Sequence, residues 1–317
     1  MTDSPAPPAP APADAVQLPD PTRDPQGYMR DLVAAAASRR VSDLHIKAGA
    51  APYWRLHGSL APMPTPALGK VEVGLLADTL MDERERKIYA DQHQVDLARG
   101  YAGIGRVRAS VFQQRGSTSI ALRVIPTEIP TAEQLGLPAV ISTLKDLKRG
   151  MVLVTGATGS GKSTTLAIVI EQINAALDRH IITIEDPIEF LFRDRHSLIS
   201  QREVNIDTPD FPRALRAALR QDPDVILIGE LRDAETITTA IKASETGHLV
   251  LSTLHAPSCP ESITRLLSYF PPEEQQTVRS QIAANLRAVV SQRLLPAADG
   301  QRRVGAYEVM TVTQTVR

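Results

Sequence analysis

The chain has 317 residues, a length that suits about two domains, and a hydrophobic fraction of 43% that supports ordinary packed cores. Its net charge of −1 excludes bulk attraction to nucleic acid or to anionic membrane. The single cysteine, Cys259, excludes a disulfide framework and a four-cysteine zinc site within one chain. With no secretory signal pattern and no apolar run approaching the roughly 18 residues of a membrane span, the expected location is cytoplasmic, with peripheral membrane association at most.

Residues 1–24 are rich in proline and alanine, a composition that buries too little apolar surface to offset ordering entropy; they are expected to form an extended, mobile tail. Residues 25–125 read as a small α/β domain. Its expected elements are a helix over 28–39, strands over 42–46 and 52–56, a helix over 71–89 with a charged, solvated face, and strands over 105–113 and 119–125 around a turn at Arg115-Gly116. Residues 126–138 (PTEIPTAEQLGLP) read as an interdomain linker. Over 139–317 strands and helices alternate: strands at 151–155, 181–184, 225–229 and 249–254, helices at 162–176, 212–220, 234–246, 260–268 and 273–294. Such alternation predicts a mostly parallel sheet with helices on both faces and ligands at the strands' carboxyl ends.

The strand at 151–155 runs into G-A-T-G-S-G-K-S (156–163), and that loop runs into a helix. This is the pattern of a phosphate-binding P-loop for ATP or GTP. Gly156, Gly159 and Gly161 let the backbone turn tightly so that the amides of Ala157, Thr158, Ser160 and their neighbours surround a phosphate chain. Lys162 reaches the β- and γ-phosphates, the Ser163 hydroxyl ligates Mg²⁺, and Thr164 opens the helix whose positive end faces the anion. No N-K-x-D guanine-recognition motif is present, which favours ATP.

Carboxylates follow two apolar strands. Glu230, after V-I-L-I-G, is placed to orient or deprotonate an attacking water, with a structural pair to Arg232 as the alternative. Glu185, Asp186 and Glu189, in E-D-P-I-E after I-I-T-I, are candidates for holding Mg²⁺ or polarising that water; any of them also suits a cap or a turn. His248 and His255 bracket the strand L-V-L-S-T-L at an odd spacing, so their rings face opposite sides of an extended strand, which argues against a shared metal. His255, at the carboxyl end, suits a γ-phosphate sensor; for His248 a helix-capping or packing role stands equally open. Arg106 and Arg108 share one face of their strand, with Arg115 and Arg123 nearby, as arginine fingers, as a nucleic-acid contact, or as a solvated stripe.

The order S-D-L-H-I, F-Q-Q-R-G-S-T-S-I-A-L-R-V-I-P, G-A-T-G-S-G-K-S-T-T-L-A, T-I-E-D-P-I-E-F, A-L-R-Q-D-P-D-V-I-L-I-G-E-L-R-D and E-T-G-H-L-V-L-S-T-L-H-A resembles the type IV pilus retraction ATPases of the PilT and PilU type, within the secretion-superfamily ATPases. The resemblance runs from about residue 28 to the end. It implies a PAS-like N-terminal domain, a RecA-like ATPase domain, a homohexameric ring, and docking on an inner-membrane pilus platform protein, with a paralogous retraction ATPase as a further partner. It assigns Lys162 to the Walker A motif, Glu185–Glu189 to an Asp box, Glu230 to Walker B, and His248 and His255 to a His box. It also brings Arg106, Arg108, Arg123 and Arg265 toward nucleotide or a subunit interface.

Two departures accompany it. The four-cysteine zinc element of the extension and secretion relatives is missing, which favours the retraction branch. The family's C-terminal A-I-R-N-L-I segment is matched only by T-V-R at 315–317, so a chain ending there is expected to hydrolyse ATP yet retract poorly. The rivals are a RecA-like nucleic-acid motor, a non-motor kinase or GTPase, and a regulatory ATP-binding partner of a separate motor.

Overall fold

The computed structural model describes residues 16–56, 59–125, 128–298 and 303–313. The chain divides into two compact units, Met1–Pro126 and Thr127–Arg317.

In the first unit, α1 (Pro25–Ser38) starts where sequence signals a helix start: proline in the first turn and an Asp24 carboxylate accepting the Gly27 N–H at 2.8 Å. Then come β1 (Asp43–Lys47), β2 (Tyr53–Leu56) and β3 (Ser59–Pro62), α2 (Lys70–Leu80) and α3 (Glu83–Gln92), and β4 (Gln94–Tyr101), β5 (Gly105–Gln114) and β6 (Ser117–Ile125). The single helix expected over 71–89 is thus two. Asp82 breaks it by forming a reciprocal cap with Glu85, each side chain accepting the other residue's N–H at 2.8 Å. β3 and β4 lack the apolar runs that announce a strand and were not anticipated. The six strands form one antiparallel sheet in the order β3-β2-β1-β6-β5-β4. Its core includes Leu32, Leu44, Trp54, Leu76, Leu80, Val107 and Leu122. Val16 and Leu18 pack against this core, which corrects the expectation of a mobile tail for residues 16–24; residues 1–15 of that segment lie outside the described residues.

The second unit opens with α4 (Ala139–Thr143) and continues β7 (Gly150–Thr155), α5 (Lys162–Ala176), β8 (His180–Glu185), β9 (Leu198–Glu203), α6 (Phe211–Ala218), β10 (Val225–Ile228), α7 (Ala234–Glu245), β11 (Leu249–Leu254), α8 (Cys259–Leu267), α9 (Pro272–Asn285), β12 (Leu286–Pro296) and β13 (Arg303–Thr311). The seven-stranded sheet runs β13-β12-β7-β11-β10-β8-β9, parallel throughout except for the antiparallel edge strand β13. β7, β10 and β11 are buried along their whole length, as parallel strands covered on both faces must be. Alternate side chains feed two cores: Met151 and Leu153 join α6, α7, α8 and α9 on one face, while Val152 and Val154 join α4 and α5 on the other.

One helix boundary is corrected here. The expected helix over 273–294 ends at Asn285, and the following residues pair with β7 as β12. The segment Q-I-A-A-N-L-R-A-V-V-S-Q-R-L-L satisfies helical spacing, but Ala288, Val289 and Val290 are all buried, which suits a strand covered on both faces. T-V-R at 315–317 lies outside the described residues.

Candidate functional site

β7 delivers the chain to the loop at 156–161, and α5 begins at Lys162 with Gly161 at its N-cap and no capping side chain. The N–H groups of the first helical turn are therefore left for another acceptor. Gly159 and Gly161 have φ of +74° and +90°, a region that side-chain-bearing residues rarely adopt, and a Cβ on Gly159 would meet nothing within 4 Å. The loop encloses two polar groups. The Lys162 ammonium donates to the Gly156 and Ala157 carbonyls, at 3.1 Å each, and its burial pushes its pKa down against the opposing pull of the Glu230 carboxylate. The Ser160 hydroxyl is buried with no hydrogen-bond partner among the described residues. A glycine-lined cradle with an uncapped helix start, a desolvated ammonium and an orphaned hydroxyl fits a polyphosphate. Ser163 is exposed and Thr164 half-buried at the same helix start.

Moving outward from β7, the next strands bring the polar groups. β10 pairs with β11, so the residues after their ends are neighbours: Thr253 Oγ1 donates to the Gly229 carbonyl at 2.6 Å, and the Leu231 N–H donates to the Thr253 carbonyl at 3.1 Å. This clamp sets Glu230 beside His255, with Nε2 3.4 Å from Oε1. The other carboxylate oxygen, Oε2, accepts from Nε of Arg232 at 2.9 Å and lies 2.9 Å from its Nη2. Arg232 also reaches Asp186 at 3.6 Å, so both readings of Glu230 meet in one cluster: it faces the loop lysine electrostatically and carries the arginine pair.

At the end of β8, Glu185 is buried and is held by donors: Thr183 Oγ1 at 2.6 Å and Gln201 Nε2 at 3.3 Å, with the Glu189 N–H at 3.5 Å. Burial nevertheless raises its pKa above the usual carboxylate range. Asp186 and Glu189 are exposed on the turn that follows. The pair of Glu230 with Arg232 is the one its sequence neighbourhood suggests, whereas Thr183 and Gln201 carry no motif that marks them as site components. The period-2 pattern of β8 does place Thr183 on the same face as Glu185; nothing local marks Gln201, which arrives from β9.

The remaining candidates belong to other elements. His248 precedes β11, at the sheet edge opposite the loop, because β11 runs parallel to β7 from Leu249 beside Gly150. Its Nδ1 lies 2.9 Å from the Ala243 carbonyl and 3.2 Å from the Thr246 hydroxyl, at the C-terminus of α7. Within this chain its ring closes the end of a helix, the capping alternative that its position left open. Arg106, Arg108 and Arg123 belong to the first unit, where Arg108 and Arg123 are directly opposite on β5 and β6 and Arg123 donates to Asp43 at 2.9 Å. Arg265 is exposed on α8 and stacks over the Tyr269 ring at 4.9 Å.

The model of the type II/IV secretion system protein family matches residues 28–316. The chain belongs to that family. Among relatives of this family member, the uncharacterized protein YggR of Escherichia coli strain K12 is 45% identical over 91% of this chain and 87% of its own length. The type IV pilus retraction ATPase PilT of Pseudomonas aeruginosa is 42% identical over 90% of this chain and 83% of its own. Among solved structures, that of the pilus retraction motor PilT with bound ADP superposes with a TM-score of 0.85 at 45% identity, over 91% of this chain and 84% of that one. The two-sheet α/β fold of this secretion-family chain is shared with that motor.

Proposed function

We propose that the chain is the subunit of an ATP-hydrolysing motor that powers retraction of type IV pili. The observation that carries this is the alignment of the glycine loop with Lys162, Glu230, His255 and Glu185 at the carboxyl ends of adjacent parallel strands, in a chain 42% identical to a retraction ATPase. In this reading the loop amides and Lys162 hold the phosphates of ATP. Mg²⁺, when bound, neutralises phosphate charge; Ser163 would hold it, with Glu189 or Asp186 acting through water. Ser163 is exposed at the helix start and Asp186 and Glu189 are exposed on the turn after β8, a hydroxyl and two carboxylates of the oxygen type that Mg²⁺ takes.

Glu230 orients and deprotonates the attacking water, and His255 beside it senses the γ-phosphate. The Glu185 carboxyl, braced by Thr183 and Gln201, holds the turn that carries Asp186 and Glu189. The ring is a homohexamer on the cytoplasmic side of the inner membrane, docked on a pilus platform protein. Arg106, Arg108, Arg123 and Arg265 serve nucleotide or subunit contacts in that assembly.

Deletion of the gene followed by counts of surface pili and twitching tests the reading. Loss of a retraction motor leaves pili present but immobile, loss of an extension motor leaves none, and an accessory motor's loss leaves retraction weakened. ATPase activity steeply stimulated by DNA at low salt would instead point to a nucleic-acid motor.

A further inference from the structure

The side of the P-loop facing away from the acidic strands is closed by one residue of β12. Gln292 is buried, 2% exposed, in the strand that pairs with β7 on the flank opposite β11. Its side-chain amide donates to the Ser160 carbonyl at 2.7 Å, and its side-chain oxygen accepts from the Thr165 hydroxyl at 2.9 Å. A Cβ on Gly161 would stand 3.1 Å from the same amide nitrogen, and a Cβ on Gly156 would collide with the Gln292 backbone carbonyl. One residue therefore touches the first residue of the loop, its last two, and the first turn of α5.

The structure assigns to Gln292 the role of a positioning residue for the phosphate cradle. The argument is peptide geometry. The only cis peptide among the described residues is Asp186–Pro187, so the Ser160–Gly161 peptide is trans and planar. In a trans peptide the C=O and the following N–H point in opposite directions. By holding the Ser160 carbonyl toward β12, Gln292 turns the Gly161 N–H away from β12. Its bond from Thr165 fixes the helix start in the same frame. Both polar ends of a buried amide are used, one on the loop and one on the helix start, where an apolar residue of equal volume would serve packing alone. The role rests on the reading of the loop as a nucleotide site, and it concerns ground-state binding of the phosphates rather than the chemical step.

Gln292→Glu separates this role from packing, because the substituted carboxyl has the same shape and its protonation decides whether it donates to the Ser160 carbonyl. Protonated, it reproduces both bonds; ionised, it sets a negative oxygen against that carbonyl. Burial will raise its pKa, so the switch falls between about pH 6 and about pH 8. Isothermal titration of ADP into the full chain, well below its melting temperature, gives the Kd ratio of variant to unaltered protein at each pH. We expect the ratio to be on the order of tenfold at the higher pH and to fall toward one at the lower. Gln292→Leu, which loses both bonds at every pH, should bind ADP roughly tenfold more weakly throughout. A ratio for Gln292→Glu that does not change with pH, or an unchanged Kd for Gln292→Leu, would overturn the assignment. Failure of the unaltered chain to bind ADP at all would instead overturn the nucleotide reading on which it rests.

Discussion

His255 Nε2 lies 3.4 Å from Glu230 Oε1, although 25 positions separate the two in sequence. The pair exists because β10 and β11 are parallel neighbours ending in the same plane, and it leaves the second carboxylate oxygen to Arg232. A carboxylate with one oxygen toward a histidine and the other braced by an arginine is oriented without being sealed. Glu230→Gln preserves shape and removes the base. Turnover is expected to fall by about 100-fold or more while ATP stays bound, measured as steady-state phosphate release beside retained nucleotide. Turnover near that of the unaltered protein would remove Glu230 from the role of base.

The two histidines should separate cleanly. His255→Ala is expected to lower kcat, whereas His248→Ala should leave nucleotide affinity unchanged and cost about 0.5–1 kcal/mol of stability, because its ring serves the end of α7. Thermal melts and nucleotide titrations on both variants read the difference. Loss of nucleotide affinity in His248→Ala would reinstate it as a binding residue.

Lys162 donates only to loop carbonyls in the described contacts, and burial works against its charge. Lys162→Ala should therefore melt no lower than the unaltered chain without nucleotide, yet lose the ATP-induced stabilisation. For a ligand at about 100 times its Kd that stabilisation is about 2.7 kcal/mol, readily seen as a shift in melting temperature. A full ATP-induced shift in the variant would contradict the assigned phosphate contact.

Glu185 supplies a pH dependence whose sign is fixed. Its pKa is raised in the folded chain, so above the usual carboxylate range the folded state holds the proton more tightly than the unfolded state. Stability contributed by the protonated form is then lost as pH rises through that window. Glu185→Gln removes the dependence, so its melting temperature should gain on that of the unaltered protein as pH rises above the usual carboxylate range. A constant difference over that rise would show that burial does not govern this carboxyl.

Much of the site was legible because its parts follow strands that announce themselves. V-I-L-I and I-I-T-I are apolar runs that end in Glu230 and Glu185, and the glycine pattern fixes Lys162 by spacing alone. What was not legible depends on pairings between distant segments. Residues 286–294 satisfy helical spacing, and only the partnership with β7 makes them a strand; Gln292, read as a position on that helix, carried no signal for the loop. Asp82 offered its signal openly, an acid three residues before Glu85, but a charged run hid the break between α2 and α3. The motif that names His248 does not say which end of β11 it occupies: it stands before the start, whereas the glycine loop follows the end of the parallel neighbour β7.

The order β12-β7-β11-β10-β8 also determines how the protein can fail. Gln292, Lys162, His255, Glu230 and Glu185 each hang from a different member of that series, spaced about 4.8 Å per step by the hydrogen-bond ladder. The cradle after β7 and the acids after β10 and β8 are joined in the sheet only through β11, which comes later in the chain than all of them. A slip of one strand by a single residue would carry its group about 3.3 Å along the sheet and turn it to the other face. Activity is thus a sensitive gauge of sheet integrity, and damage that leaves every helix formed but shifts one strand should silence the protein outright.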